Sequence, residues 1–178
     1  MTENELQRFV DRQAIVDVVV QYATGVDRRN WELYASCFTD PCEFDFSGWR
    51  GQPPVTLSPR EWATRVRATN GNFDTTQHLS TNHVVTFESP DRAICVSNMH
   101  AQHWFSADRL RDLGHPADPP GGPRWCTLGG FYTNTVRRTV EGWRICRCRL
   151  DVTWSTGDLS VFDLARSLGD RGSADGGK

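Results

Sequence analysis

Three side chains, Asp27, His78 and His103, combine residue types and positions that suit acid–base chemistry on a small organic molecule. An unperturbed histidine titrates near neutral pH, and a carboxylate beside it stabilises its charged form. An Asp/His pair facing a cavity can therefore take a proton from carbon and return it elsewhere. If each histidine lies in a strand, alternation sets His78 with Ser80, Asn82 and Val84, and His103 with Ala93, Cys95, Met99 and Phe105. The second set is largely apolar, which turns His103 inward. Asp27 falls at a helix corner from which its carboxylate can reach a histidine. The competing reading is structural: Asp27 caps the next helix, and each histidine satisfies its own hydrogen bonds. His83 and His100 take the opposite strand faces if no bulge intervenes, and a one-residue bulge would exchange neighbours. His115 falls in a loop and, like those two, reads as structural or solvent-facing.

The elements that must position these groups follow from periodicity and punctuation. Thr2 and Glu5 form a capping box, and Ile15, Val18, Val19, Tyr22 and Val26 recur at helical spacing, predicting a long first helix that ends near Asp27. Asn30 caps a second helix carrying Trp31, Tyr34, Ala35 and Phe38 inward, with Asp40-Pro41 as its stop. An alternating segment covers Glu43 to Trp49, and Gly51 to Pro54 make a loop. Ser58-Pro59-Arg60-Glu61 then joins an N-cap, a first-turn proline and a capping-box glutamate, opening a third helix that runs to about Thr69. From Thr75 the period becomes two, with strands at about 75–88, 92–106, 125–139 and 143–154. Ser89-Pro90-Asp91 and Glu141-Gly142 supply hairpin turns, and Gly129-Gly130 reads as a strand kink. Ala107 to Pro123 is rich in Gly and Pro and reads as a long irregular loop, a candidate lid. A short helix over Asp158 to Leu168 closes the chain, leaving residues 169–178 as a flexible tail. Helices first and antiparallel strands afterwards define an α+β fold, a single domain over residues 1–168 with helices on one face of a curved sheet.

Composition narrows the functional classes. The 178 residues carry a formal charge of -2, which gives no general attraction to phosphate backbones or anionic membranes, so neither nucleic acid nor membrane is an expected partner. The chain opens with neither a basic start nor an apolar run, and a cytoplasmic location is the default expectation. The six cysteines lack metal-ligand spacing and are expected as buried free thiols. The histidines match no compact zinc motif, and no nucleophile elbow, Walker loop or dinucleotide fingerprint is present, so neither a metal nor a nucleotide cofactor is expected. Arg137, Arg138, Arg144, Arg147 and Arg149 form a basic cluster suited either to an anionic substrate group or to pairing with acids at a subunit contact.

Over about residues 9 to 165 the chain resembles the SnoaL-like branch of the NTF2-like superfamily. The resemblance rests on Asp11-Arg12-Gln13-Ala14-Ile15-Val16-Asp17, then Tyr22-Ala23, Asp27 and Trp31, with Thr76-Gln77-His78, His103, and the ending Asp151-Val152-Thr153-Trp154 followed by Phe162. Asp27 and Trp31 with the two histidines are most similar to the scytalone dehydratases, whereas Gly25-Val26-Asp27 and Tyr132-Thr133-Asn134 are similar to the hexachlorocyclohexane dehydrochlorinases. The resemblance implies an NTF2-like cone, a curved, antiparallel or mixed sheet packed on about three N-terminal helices around a cavity. It also implies a cofactor-independent lyase, a small-molecule substrate, and a homo-oligomer, trimer or dimer. By that resemblance Asp27 orients an imidazole, His78 is the general base, His103 is a second acid/base or binding group, and Asn134, Tyr22, Tyr132 and Phe46 contact substrate. Val26 and Phe46 stand where the dehydratases have tyrosines that hold a water against the substrate carbonyl, so the resemblance implies that either the substrate or the way its carbonyl is activated differs here. Dehydration is the leading expectation. Cyclisation or isomerisation of a polyketide-like or aromatic substrate in secondary metabolism is the alternative, and noncatalytic ligand binding is the competitor from another class.

Overall fold

The computed structural model describes residues 2–115 and 124–175. Helix α1 (Glu3–Asp27) starts at the expected capping box, with Thr2 and Glu5 each satisfying the other's backbone N–H. Its inward stripe of Ile15, Val18, Val19, Tyr22 and Val26 is buried, as the spacing predicts. Gly25 on that helix permits the turn into α2 (Trp31–Ser36), because a Cβ there would lie 2.8 Å from the backbone nitrogen of Tyr34. Asn30 caps α2 by accepting from the Leu33 N–H. Helix α3 (Pro59–Asn70) begins at the Ser58/Glu61 capping box. Each such cap contributes on the order of 1 kcal/mol.

The chain leaves α2 earlier than expected. Strand β1 (Phe38–Gly48) already begins at Phe38, because the sheet offers a better set of partners than another helical turn: Cys37 O accepts from Ile145 N at 2.8 Å, and Phe38 registers with Ile145. Pro41, which has no N–H to give a ladder, sits in the register shift between Phe38 and Glu43. A short strand, β2 (Val55–Leu57), follows where a loop was expected to lead directly into α3.

Strands β3 (Thr75–Ser89), β4 (Arg92–Phe105), β5 (Arg124–Thr139) and β6 (Gly142–Gly157) match the four period-two segments. The sheet order is β2-β1-β6-β5-β4-β3, antiparallel except for the parallel pair β1/β6. Register shifts bend it: one lies at Gly129/Gly130, the expected kink, and another between Thr81 and Val84, where Asn82 has φ 54°. Helix α1 packs against β3 and β6, and α3 packs against α5 (Val161–Asp175). The result is an open α+β cone of the NTF2-like type.

Two segments depart from expectation. Ala107 to Asp112 form helix α4, capped by Ser106, so the expected irregular loop begins as ordered structure; residues 116–123 lie outside the described residues. Helix α5 runs past Leu168 to Asp175, through most of the stretch assigned to a flexible tail. All six cysteines are free, five of them buried and Cys146 half-buried. No described helix is long and apolar enough to cross a membrane.

Candidate active site

Asp27 is the last residue of α1, and the turn after it aims its carboxylate at the start of β3. Asp27 Oδ1 lies 2.7 Å from His78 Nδ1, and Asp27 Oδ2 accepts the His78 backbone N–H at 2.7 Å. One carboxylate thus holds both the ring and the main chain of His78. Thr76 Oγ1 donates to Asp27 Oδ1 at 2.9 Å. Arg29, in the left-handed region at φ 56°, donates in turn to Thr76 Oγ1 at 2.9 Å and to the carbonyls of Val26 and Phe73. Burial disfavours the Asp27 carboxylate, but His78 and the Thr76 hydroxyl outweigh that cost and hold its pKa below the usual value. An ionised Asp27 accepts a proton-bearing Nδ1, which leaves Nε2 of His78 as the basic nitrogen. Nε2 makes no hydrogen bond among the described residues.

His103 follows the strict in–out alternation of β4 and is buried, as expected. Its ring meets His78 edge to face at 5.3 Å between centroids and packs against Phe73 and Phe162. Nε2 lies 3.2 Å from Asn70 Oδ1, while the buried Nδ1 has no partner of hydrogen-bonding geometry. Burial, reinforced by His78, pushes the His103 pKa well below the ordinary histidine value, against smaller opposing contributions from Asp27 and the Cys126 backbone. Both causes disfavour the charged imidazolium of His103.

The bulge at Asn82 changes the expected face assignment on β3. Asn82 and Val84 turn outward, and His83 joins the inner side, with its Nε2 3.0 Å from Ser80 Oγ. The extra residue reverses the alternation beyond it. His83 remains outside the cavity wall, and His100 is exposed beside Trp154.

His78 and His103 open onto a cavity of about 230 Å³, which Tyr22, Val26, Phe46 and Tyr132 also line. The Tyr22 and Tyr132 hydroxyls lie 3.0 Å apart, and burial raises the pKa of both, so they remain protonated. Asn134 does not belong with them. It is buried deeper in the sheet beside Cys95 and Cys148, outside the cavity wall, and its Oδ1 lacks a partner. The arginine cluster is also elsewhere: Arg138 pairs with Asp11 and Asp91, Arg144 with Glu141, Arg147 with Asp45, and Arg149 with Asp151. Those acids belong to the same chain. Among the described residues no group of three His, Cys, Asp or Glu side chains is placed to hold a metal ion.

Several wall residues were not singled out from sequence. Trp62, Val66, Thr69 and Asn70 come from one face of α3, at a helical spacing the capping box could have revealed, whereas Trp49, Arg50 and Arg166 arrive from a turn and from α5.

The SnoaL-like domain model matches residues 7–149. The chain belongs to the SnoaL-like family. The crystal structure of the Kfla4162 protein from Kribbella flavida is 32% identical and superimposes with a TM-score of 0.75, over 89% of this chain and 99% of that one. A provisional scytalone dehydratase from Novosphingobium aromaticivorans is 22% identical with a TM-score of 0.67, over 85% and 90% of the two chains. A hexachlorocyclohexane dehydrochlorinase, LinA type 2, is 19% identical with a TM-score of 0.67, over 86% and 93%. The latter two share the fold with this chain.

Proposed function

We propose that the protein is a lyase of the dehydratase type, acting on a small organic substrate by general acid–base catalysis. The observation that carries this reading is the Asp27–His78 pair, 2.7 Å apart, whose histidine lines a small cavity walled by aromatic, aliphatic and polar side chains while the aspartate stands behind it. His78 Nε2 takes a proton from carbon adjacent to a carbonyl, and Asp27 stabilises the imidazolium that forms. The same Nε2–H then protonates the departing hydroxyl, so that water leaves and a carbon–carbon double bond remains. Tyr22 and Tyr132 supply protonated hydroxyls to the substrate oxygen, a function that Val26 and Phe46 cannot provide. Neutral His103 positions the substrate beside them.

The resemblance to dehydratases and dehydrochlorinases supports a lyase, and the neighbouring structures named for those activities share the fold. General acid–base catalysis is worth roughly 10² to 10⁴-fold. In a panel of small β-hydroxy carbonyl compounds, mass spectrometry should detect loss of one water, and His78→Ala should abolish it by that order without altering the circular dichroism spectrum. Conversion with no mass change would redirect the proposal to an isomerase or cyclase. Binding without conversion would leave a ligand carrier.

We also propose self-association, as a dimer or trimer, through the outer sheet face, where Leu79, Val84, Phe131 and Trp154 stand exposed. Sedimentation as a monomer at micromolar concentration would contradict it.

A further inference from the structure

The cavity has two electrostatically different ends. Its described lining holds three arginines, Arg50, Arg65 and Arg166, and no carboxylate. Each is partly or largely exposed, which puts them at the solvent end, whereas His103, Tyr22 and Tyr132 are buried. One acid, Asp163, serves two of the three: it lies 2.8 Å from Arg50 and 3.5 Å from Arg166. Arg65 has no ion pair or hydrogen-bond partner for its guanidinium among the described residues. Glu61, one helical turn before it, is held as the cap partner of Ser58 and acts on Arg65 only through space. With three guanidiniums against Asp163 and the more distant Glu61, the mouth carries net positive charge on a chain whose net charge is -2.

Arg50 is placed with particular constraint. Its backbone is left-handed, φ 61°, a conformation that non-glycine residues seldom adopt and that is kept where surroundings fix it. Its guanidinium lies over the rings of Trp49 and Phe162, at 5.2 and 5.7 Å from their centroids. The stacking fixes the side chain while leaving guanidinium N–H groups to donate. Low-dielectric aromatic walls concentrate the field of such a group, and an arginine fork matches a carboxylate.

We infer that the cavity takes a small organic acid, with its carboxylate held at the Arg50/Arg65/Arg166 mouth and its flat apolar body directed inward toward His78. This deepens the acid–base lyase reading and rests on it only for the reacting end; the charge preference is a property of binding. Cinnamate and cinnamamide form a matched pair of probes, equal in shape and different in charge. In NMR titrations that follow the indole N–H signals of Trp49 and Trp62, cinnamate should bind at least tenfold more tightly than cinnamamide. That preference should shrink in Arg65→Gln and in Arg50→Gln, vanish or reverse in Arg65→Glu, and weaken with added salt. It should persist in His78→Ala. Equal affinity for the two probes, no binding of either, or a preference that survives the arginine variants and disappears in His78→Ala would overturn the inference. Because these are binding measurements, a retained preference together with undiminished turnover in His78→Ala would sink the lyase reading and leave the acid site standing.

Discussion

The two histidines of the cavity are the same residue type on neighbouring strands, with ring centroids 5.3 Å apart, yet their surroundings differ in kind. His78 has a carboxylate at Nδ1 and a backbone N–H held by the same carboxylate, so its ring is oriented and a positive charge on it is compensated. His103 has an amide, two aromatic rings and burial, so its charged form is disfavoured. A proton-transfer group needs an environment that tolerates both of its charge states. By that criterion, and under the proposed lyase reading, chemistry falls to the β3 side of the cavity and positioning to the β4 side.

The comparison is broken most directly by exchanging the two roles. His78→Ala should lower turnover by roughly 10² to 10⁴-fold, whereas His103→Asn, which forfeits a neutral hydrogen bond worth about 1 kcal/mol, should cost roughly fivefold. Equal losses in steady-state rates would erase the distinction. Arg29→Ala should fall between them, because it removes the donor that steadies Thr76 beneath Asp27 without touching substrate. Its loss should appear in kcat with KM nearly unchanged, and Thr76→Val should reproduce it. A change confined to KM would remove Arg29 from the positioning of the pair.

The pH dependence of stability sharpens the contrast. The pKa of Asp27 is lower in the fold than the ordinary 3.8, so its contribution is present above about that pH and is lost as pH falls through the folded value. Asp27→Asn should therefore flatten the acid limb of thermal melts below about pH 4. His103 also has a lowered pKa. Below the ordinary 6.5 the unfolded chain binds a proton that the folded one refuses, so stability falls with pH by at most about 1.4 kcal/mol per unit. In His103→Leu that slope between about pH 6.5 and 5 should diminish. An unchanged slope would mean that His103 takes up a proton within the fold.

The change expected to touch the contrast least concerns the scaffold. Gly25→Ala forces a Cβ against the backbone of Tyr34 and should cost about 1 to 3 kcal/mol, read as a lower midpoint in urea, while any remaining folded protein keeps the difference between the histidines.

Much of this was legible in the chain itself. Thr2/Glu5 and Ser58/Glu61 marked two helix starts because capping is a local interaction, and the period-two pattern of Ala93, Cys95, Met99, His103 and Phe105 fixed which way His103 faces. Asp27, His78 and His103 stood out by residue type and family resemblance. Local reasoning failed where a distant strand decided the outcome. Phe38 left the helix because β6 offered it a parallel partner, and His83 changed sides because a bulge at Asn82 altered the register against β4. Asn134, adjacent in sequence to cavity-facing segments, lies below the cavity because depth along a curved strand is set by what packs over it.

What the sequence alone determined, then, was the order of helices and strands, the inward stripes, and a short set of groups able to exchange protons. Only the tertiary structure decided that Asp27 belongs to His78, that His103 is buried where a charge is disfavoured, and that Arg50, Arg65 and Arg166 share one mouth. The physical reason is range: capping and alternation act over a few residues, but a hydrogen bond 51 positions apart, or three guanidiniums gathered at one mouth, exists only after the chain has closed on itself.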